Sequence, residues 1–366
     1  MKKILIGMIK DGRAGGVDRY ILDFFHNMRM KATIDFLSND NDSELCQEAE
    51  KDGFALHSVS GLSNPFLQYS QAKKLIAKNH YDIVYINIST ALAFPVLKAA
   101  YDAGVKRVIA HSHSSGYDCA SFMKRRFMTF LHTLCKPLVC KYATDYLTCS
   151  DKAAAWMFTK KTLDNKSVRT VQNTVDTSVF RFDPKKRYEI RKKLGVEDNF
   201  VIGNVGNMVY PKNQLFLIDV FSKIAETDDS AVLVIIGDGE LRGKIENRIK
   251  RYSLSNKVRL LGRVNASNGY MSAFDVFALP SHFEGMPIVS VEAQCSSLPC
   301  VFSDKITRQA EISNACRFVA IRSVSEWAET IKEFKKIDRT KIRLTKELDF
   351  LSSKKQSGEF DWILEE

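Results

Sequence analysis

Phe200-Val-Ile-Gly-Asn-Val205 runs directly into Gly206-Asn-Met-Val-Tyr-Pro-Lys-Asn-Gln214 and then into a segment carrying Phe216, Ile218, Val220 and Phe221. A short apolar run, a glycine turn and an apolar-faced segment read as strand, loop and helix, the repeating unit of a parallel α/β sheet. The pattern has already run once. Residues 3–9 are a first apolar strand, Asp11-Gly-Arg-Ala-Gly-Gly16 a glycine loop, and Val17, Ile21, Leu22, Phe25 and Met28 share one helical face. Further strands are expected at 33–37, 83–87, 107–110 and 145–149, with helices at 65–78 and 90–102 between them. After the restart, strands are expected at 231–236, 258–261, 276–279 and 299–302. The chain is therefore predicted to be α/β, with two doubly wound, Rossmann-like domains facing a central cleft. Their bounds are 1–175 and 176–350, the junction lies near 173–180, and a short tail, 351–366, is available to return to the first domain. Ligands of open α/β sheets sit beyond the carboxyl ends of the strands, which places the expected site in the cleft.

Composition narrows the class. With 366 residues, 45% hydrophobic and 27% charged, the chain can bury two ordinary cores, and 18 glycines and 8 prolines exclude collagenous or linker-dominated architectures. No run approaches ~18 uncharged apolar residues, and Met1-Lys-Lys-Ile-Leu-Ile-Gly-Met8 meets Lys10 and Asp11 too soon for a signal-peptide core. The expected location is cytoplasmic. Eight cysteines (Cys46, Cys119, Cys135, Cys140, Cys149, Cys295, Cys300, Cys316) form no C-x-x-C pair, so they read as reduced packing thiols and not as a zinc site. The net charge of +11 is local: residues 71–175 hold 16 basic and 6 acidic side chains. Such a stretch attracts anions, whether nucleic acid, phospholipid head groups or a polyphosphate ligand.

The most specific stretch is Ala278-Leu-Pro-Ser-His-Phe-Glu-Gly-Met-Pro-Ile-Val-Ser-Val-Glu-Ala-Gln294, where a strand ends and a helix begins. Pro287 suits a first helical turn, which leaves Glu284 in the loop before it and Glu292 in the second turn. Unpaired N–H groups around Gly285, Met286 and Ile288, with the helix dipole, make an anion site flanked by two carboxylates. A molecule with phosphates at its centre and hydroxyls at both ends, such as a nucleotide sugar, fits that arrangement. A capped core helix with two solvent-facing glutamates fits the spacing as well.

Glu284 and Glu292, with seven residues between them inside Pro-Ser-His-Phe-Glu-Gly-Met-Pro, resemble the motif of glycosyltransferase family 4, retaining enzymes of the two-domain GT-B fold. Gly15-Gly16, Ala110-His-Ser-His113, Asn173-Thr-Val-Asp176, Pro211-Lys-Asn213 and Gly237-Asp-Gly239 follow in that family's order along nearly the whole chain. The Arg107–His113 stretch with the basic segment after it is similar to bacterial members that assemble capsular, exopolysaccharide or lipid-linked glycans. The resemblance implies that Glu292 holds the donor ribose, Glu284 the transferred sugar and Lys212 the diphosphate. It further implies that Gly237, Asp238 and Gly239 border the base, that Gly15 and Gly16 approach the donor, and that His113 faces the sugar. Gly285, Met286, Pro287 and Ile288 would then line the phosphates. Catalysis would be leaving-group stabilisation with no metal and no cofactor, the co-substrate being a nucleotide sugar, expected to be a UDP-sugar. One position departs from the pattern: Asn207 stands where the family commonly has Arg, leaving Arg263 or Arg13 to compensate or donor binding weak.

His111 and His113, two apart at a strand end, share one face. They read as a pair hydrogen-bonded to backbone, as metal ligands, or as ligand contacts, and the resemblance favours the last for His113. Met123-Lys-Arg-Arg-Phe-Met-Thr-Phe-Leu-His-Thr-Leu-Cys-Lys136 sets Phe127, Phe130, Leu131 and Leu134 on one helical face beside a basic triplet, with an interruption expected at Pro137. This is an amphipathic domain helix or a surface that docks on anionic lipid, where a lipid-linked glycan acceptor would reside. Asp40-Asn41-Asp42 has the spacing of a metal-binding Asp-x-Asp but lacks the surrounding fold for it. A sugar-nucleotide 2-epimerase of the same fold is the enzymic alternative. A polyanion- or nucleotide-binding non-enzyme is the other, although no specific nucleic-acid module is present.

Overall fold

The computed structural model describes residues 1–9, 21, 25, 28, 31–39, 50–171, 173, 179–264, 267–345 and 361–364. The chain divides into two units, Met1–Thr174 with Phe350–Glu366, and Val175–Asp349. Gly15, Gly16, Arg13, Asp40-Asn41-Asp42, Thr174 and Asp176 lie outside the described residues.

In the first unit seven parallel strands, β1 (Lys2–Ile9), β2 (Ala32–Ser38), β3 (Ala55–Ser58), β4 (Ile83–Ile88), β5 (Arg107–Ser112), β6 (Asp145–Thr148) and β7 (Val168–Thr170), stand in the order β3-β2-β1-β4-β5-β6-β7. In the second, β8 (Phe200–Val205), β9 (Ala231–Ile236), β10 (Val258–Leu260), β11 (Val276–Leu279), β12 (Cys300–Ser303) and β13 (Cys316–Val319) stand in the order β10-β9-β8-β11-β12-β13. Both orders run outward from the first strand in two directions, the doubly wound arrangement. The strand order reverses between β1 and β4 in one sheet and between β8 and β11 in the other. β4, β9, β11 and β12 are buried throughout, which is why they read as continuous apolar runs and not as alternating ones.

An asparagine side chain crosses each reversal. Asn87 Nδ2 donates to the Gly7 carbonyl (2.9 Å), tying β4 to β1, and Asn204 Nδ2 donates to the Ala278 carbonyl (2.8 Å), tying β8 to β11. In open α/β sheets such reversals, outside the carboxyl ends of the strands, are where ligands bind.

The helix Phe122–Tyr142 is one continuous element of 21 residues with Pro137 inside it, against the expected break. Pro137 and Thr133 both face solvent, so water can satisfy the Thr133 carbonyl that proline leaves without a donor. The buried side of the helix is held by His132. Its Nδ1 accepts from the Ala91 N–H (3.0 Å), its Nε2 lies 2.8 Å from the Trp156 carbonyl, and its ring stacks on the Trp156 indole at 3.8 Å. Met123, Phe127, Phe130 and Leu134, spaced four, three and four apart, are each more than half exposed. Leu131, expected among them, is turned partly inward. Among the described residues no helix is long and apolar enough to cross a membrane.

The helix Pro184–Leu194 opens the second unit's described helices. Asp183 accepts from the Lys185 and Lys186 N–H groups, Pro184 takes the first turn, and Gly195 ends the helix at φ 63°. Such a cap stabilises a helix by about 1 kcal/mol. Arg187 and Arg191 reach from this helix to Asp275 at 2.5 and 3.1 Å, fastening it beside the start of β11.

The last described turn, Asp361–Ile363, belongs to the first unit. Arg107 donates to the carbonyls of Trp362 (2.7 Å) and Ile363 (3.0 Å) and pairs with Asp145 (3.1 Å). The Trp362 ring lies under both Arg107 and Arg169, 4.8 and 4.1 Å from their guanidinium carbons. Ile363 is fully buried.

Candidate active site

Three adjacent strands of the second sheet end in glycines at positive φ: β8 at Gly206 (157°), β9 at Gly237 (133°), and the turn after β10 at Gly262 (66°). Gly206 N–H donates to the Ile236 carbonyl (2.9 Å), Gly237 N–H to the Gly262 carbonyl (2.8 Å), and Met208 N–H to the Asp238 carbonyl (2.9 Å). The loop Gly237-Asp238-Gly239 is thereby laid against Gly206-Asn207-Met208, backbone on backbone. A Cβ at Gly239 would lie 2.6 Å from the Met208 carbonyl oxygen. Glycine is required here because the two loops touch.

From the loop after β8 comes Lys212, on the one-turn helix Tyr210–Lys212, and from the loop after β11 comes Glu284. Lys212 Nζ lies 2.6 Å from Glu284 Oε1, and Ser281 Oγ donates to the same oxygen at 2.8 Å. The side chains are only 20% and 13% exposed, so the pair is held in a partly dehydrated setting where its attraction is stronger than at an open surface. The two loops are also joined by backbone. His282 N–H donates to the Pro211 carbonyl (2.8 Å), and Asn213 Nδ2 donates to the Pro280 carbonyl (3.1 Å). Asn213, at φ 54°, makes the sharp turn into the helix Gln214–Ala225. Gln214, buried, donates to the carbonyls of Gly206 and Asn207, at 3.3 and 3.1 Å.

Pro287 takes the capping position, one residue earlier than expected, and Ile288 is the first residue of the helix Ile288–Cys295. Its side chain cannot accept the leading N–H groups, and no side-chain cap bonds them. Gly285, Met286 and Pro287 are buried just before this helix start, the environment in which a helix terminus favours negative charge. Glu292 sits in the second turn and is half-buried. Among the described residues nothing hydrogen-bonds its carboxylate. Burial pushes its pKa up to about 7, and the positive charge of Lys212 opposes that rise. The two glutamates are thus neither core caps nor freely solvated groups. One is bonded to a cation, and the other is an acceptor nearby that no described residue bonds and whose charge burial disfavours.

Asn207 cannot supply a guanidinium charge. Arg263 follows Gly262, whose carbonyl accepts the Gly237 N–H, so the backbone places it next to the Gly237 loop.

His113 belongs to the first unit. Its Nε2 lies 2.8 Å from Asn87 Oδ1, its ring contacts His111 at 3.9 Å between centroids, and His111 Nδ1 lies 2.6 Å from the Tyr85 hydroxyl. Burial lowers the His113 pKa to about 3, with Asn173 opposing through a side-chain hydrogen bond, and burial together with the His113 ring holds His111 well below its usual range. Both rings are neutral at physiological pH. Asn87 therefore bonds His113 and Gly7 together, at the carboxyl ends of β5 and β1.

The structure brings Lys212, Glu284, Glu292 and the helix start at Ile288 into one region, with the Gly206 and Gly237 loops on adjoining strands. Sequence reasoning missed Ser281, Gln214 and Asn87. Ser281 and Gln214 stand near recognised positions, but nothing in their spacing announces the bonds they make.

Residues 14–179 match the family described as Glycosyltransferase Family 4, and residues 186–347 match Glycosyl transferases group 1. The glycosyltransferase EpsF of Bacillus subtilis is 28% identical over 354 residues, 94% of this chain and 91% of that protein. The UDP-Gal:alpha-D-GlcNAc-diphosphoundecaprenol alpha-1,3-galactosyltransferase of Escherichia coli is 30% identical over 235 residues, 63% of this chain and 60% of the relative. Among solved structures, HepE of Anabaena in complex with UDP and glucose is similar over 100% of this chain and 96% of its own, with TM-score 0.75 and 20% identity. Two Rossmann-like sheets, the paired loops at their strand ends and two family matches that between them span most of the sequence lead to one conclusion: the chain belongs to the family 4 glycosyltransferases and has the GT-B architecture.

Proposed function

We propose that this glycosyltransferase is a retaining hexosyltransferase that moves a sugar from a UDP-sugar to a lipid-linked glycan during surface polysaccharide assembly. The observation that carries this reading is the Lys212–Glu284 pair at the β8/β11 reversal, beside an uncapped helix start and an unpaired Glu292. Lys212 and the uncapped start of the helix at Ile288 would stabilise the diphosphate as the anomeric C–O bond lengthens, with Gly285, Met286 and Pro287 lining it. Glu292 accepts from the ribose hydroxyls and Glu284 from the transferred sugar. Arrival of the diphosphate gives Lys212 a second anion and leaves Glu284 free to accept. The departing phosphate takes the acceptor's proton on the face it leaves, so no enzymic base and no metal is needed. Asp238, Gly239 and Asn207 border the nucleoside, and in the other unit His113 is neutral and fixed by Asn87.

The lipid-linked acceptor and the UDP donor are supported by the activity for which the Escherichia coli relative is named, and the biosynthetic role by capsular and amylovoran relatives from Staphylococcus aureus and Erwinia amylovora. Peripheral attachment to the inner face of the cell membrane is supported by the exposed stripe Met123, Phe127, Phe130 and Leu134 beside Lys124 and Arg126. A thermal-shift screen against UDP-, GDP- and ADP-sugars tests the donor. UDP-sugars should raise the melting temperature of the wild type and fail to do so in Glu292→Ala. Equal response of the variant would overturn the site. A donor isomerised in the absence of acceptor would point to epimerisation instead.

A further inference from the structure

Lys212 and Glu284 are 72 positions apart and meet at 2.6 Å, so the loops carrying them must be held in register by something other than the ion pair itself. Two residues before Lys212, the Tyr210 ring lies on the imidazole of His282, two residues before Glu284. The ring centres are 4.5 Å apart and the planes 16° from parallel. Tyr210 also meets Phe283 at 6.4 Å in a tilted contact. Under the stacked rings runs the bond from His282 N–H to the Pro211 carbonyl. That bond and the one from Asn213 Nδ2 to the Pro280 carbonyl join the two loops but do not lock the rotation of the side chains above them. A face-to-face pair of rings on top of them removes that rotation, because sliding or tilting either ring loses contact area.

We propose that Tyr210 and His282 form an aromatic clamp that sets the spacing of Lys212 and Glu284, which makes His282 a positioning residue for the donor site. The proposal's relevance to the donor rests on the reading of Lys212 as the diphosphate's cation; the clamp's effect on the ion pair does not. Tyr210 reaches Lys212 through the single turn Tyr210–Lys212, and His282 reaches Glu284 through Phe283. Neither ring needs to touch a ligand to do this. His282 stacks as an aromatic surface, so its charge is secondary to its shape.

The clamp can be tested without any nucleotide by measuring acylation of Lys212 in the full chain with an amine-reactive anhydride, quantified by peptide mass spectrometry. An ammonium held on a carboxylate acylates slowly. His282→Leu is expected to raise the Lys212 rate at least threefold, and His282→Phe, which restores a ring, to return it to within twofold of wild type. Glu284→Gln should raise it as well, and the double variant His282→Leu/Glu284→Gln should be no faster than Glu284→Gln alone, since both act through one ion pair. A wild-type rate in His282→Leu, or a fully multiplicative double variant, would overturn the clamp. If His282→Leu does not fold, Tyr210→Leu opens the same stack from the other side and is judged by the same rates. UDP titration of the same proteins separates the two claims. With the clamp acting on the donor site, His282→Leu weakens UDP at least fivefold and His282→Phe does not. Wild-type chain that binds no UDP while the acylation pattern holds would remove the donor assignment and leave the clamp's control of the ion pair upheld.

Discussion

Gly237 lies so close to Gly206 that a methyl group placed on it would sit 2.1 Å from the Gly206 carbonyl oxygen. Its φ of 133° is also one that other residues adopt only under strain. Gly237→Ala is therefore expected to push the two loops apart and to destabilise the second unit by roughly 2 kcal/mol or more. Gly239→Ala should act in the same direction through the Met208 carbonyl. Urea unfolding followed by tryptophan fluorescence measures both, and an unchanged midpoint in Gly237→Ala would mean that the loops are not in contact.

Glu292 trades stability for an available acceptor. Its carboxyl is pushed up to about 7 by burial, so the folded chain holds this proton more tightly than the unfolded chain does. The contribution is most favourable below the unfolded value near 4.5 and is lost as pH rises through about 7. Glu292→Gln should consequently stabilise the protein at pH 8, by about 1–3 kcal/mol, and do little at pH 4. If the carboxylate binds ribose, the same variant loses UDP affinity at pH 8. Thermal melts and titrations at the two pH values read both effects.

His113 has the opposite dependence. With its pKa lowered to about 3, the folded chain resists a proton that the unfolded chain accepts near 6.5. The associated stability is present above 6.5 and drains away as pH falls toward 3. Between pH 7 and pH 5 the wild type should lose about 2 kcal/mol through this group, and His113→Gln should show a correspondingly shallower decline over that interval. Denaturant midpoints across the interval check the slope.

Phe127 and Phe130 are exposed, so replacing both with serine removes little packing and is expected to change stability by less than about 0.5 kcal/mol each. On the reading of this face as a membrane contact, the double variant no longer floats with vesicles containing anionic lipid at low salt, whereas the wild type does. Equal flotation of the two proteins would exclude this stripe as the contact.

Most of the sheet order was open to reading because buried parallel strands are nearly continuous apolar runs, as in Ala231–Ile236, and their glycines mark where loops must approach. The edge strands Ala55–Ser58 and Val168–Thr170 were not visible: they are short, partly exposed and mixed in polarity, so their pairing comes from the neighbouring strand more than from their own composition. The helix through Pro137 was misjudged because proline's cost depends on whether the orphaned carbonyl meets water, which is a matter of orientation. At the site, Glu284, Glu292 and Lys212 stood out through resemblance. The stack of Tyr210 on His282 joins residues distant in the chain, and neither residue type carries a pattern that announces it.

The turn at Asp361–Ile363 rests on Arg107, so the first unit is assembled from two stretches of chain separated by the whole of the second. A ribosome translating this message must finish the second sheet before it can deliver Trp362 and Ile363 to the place they occupy. The earlier-made unit is thus completed only after the later one has been synthesised.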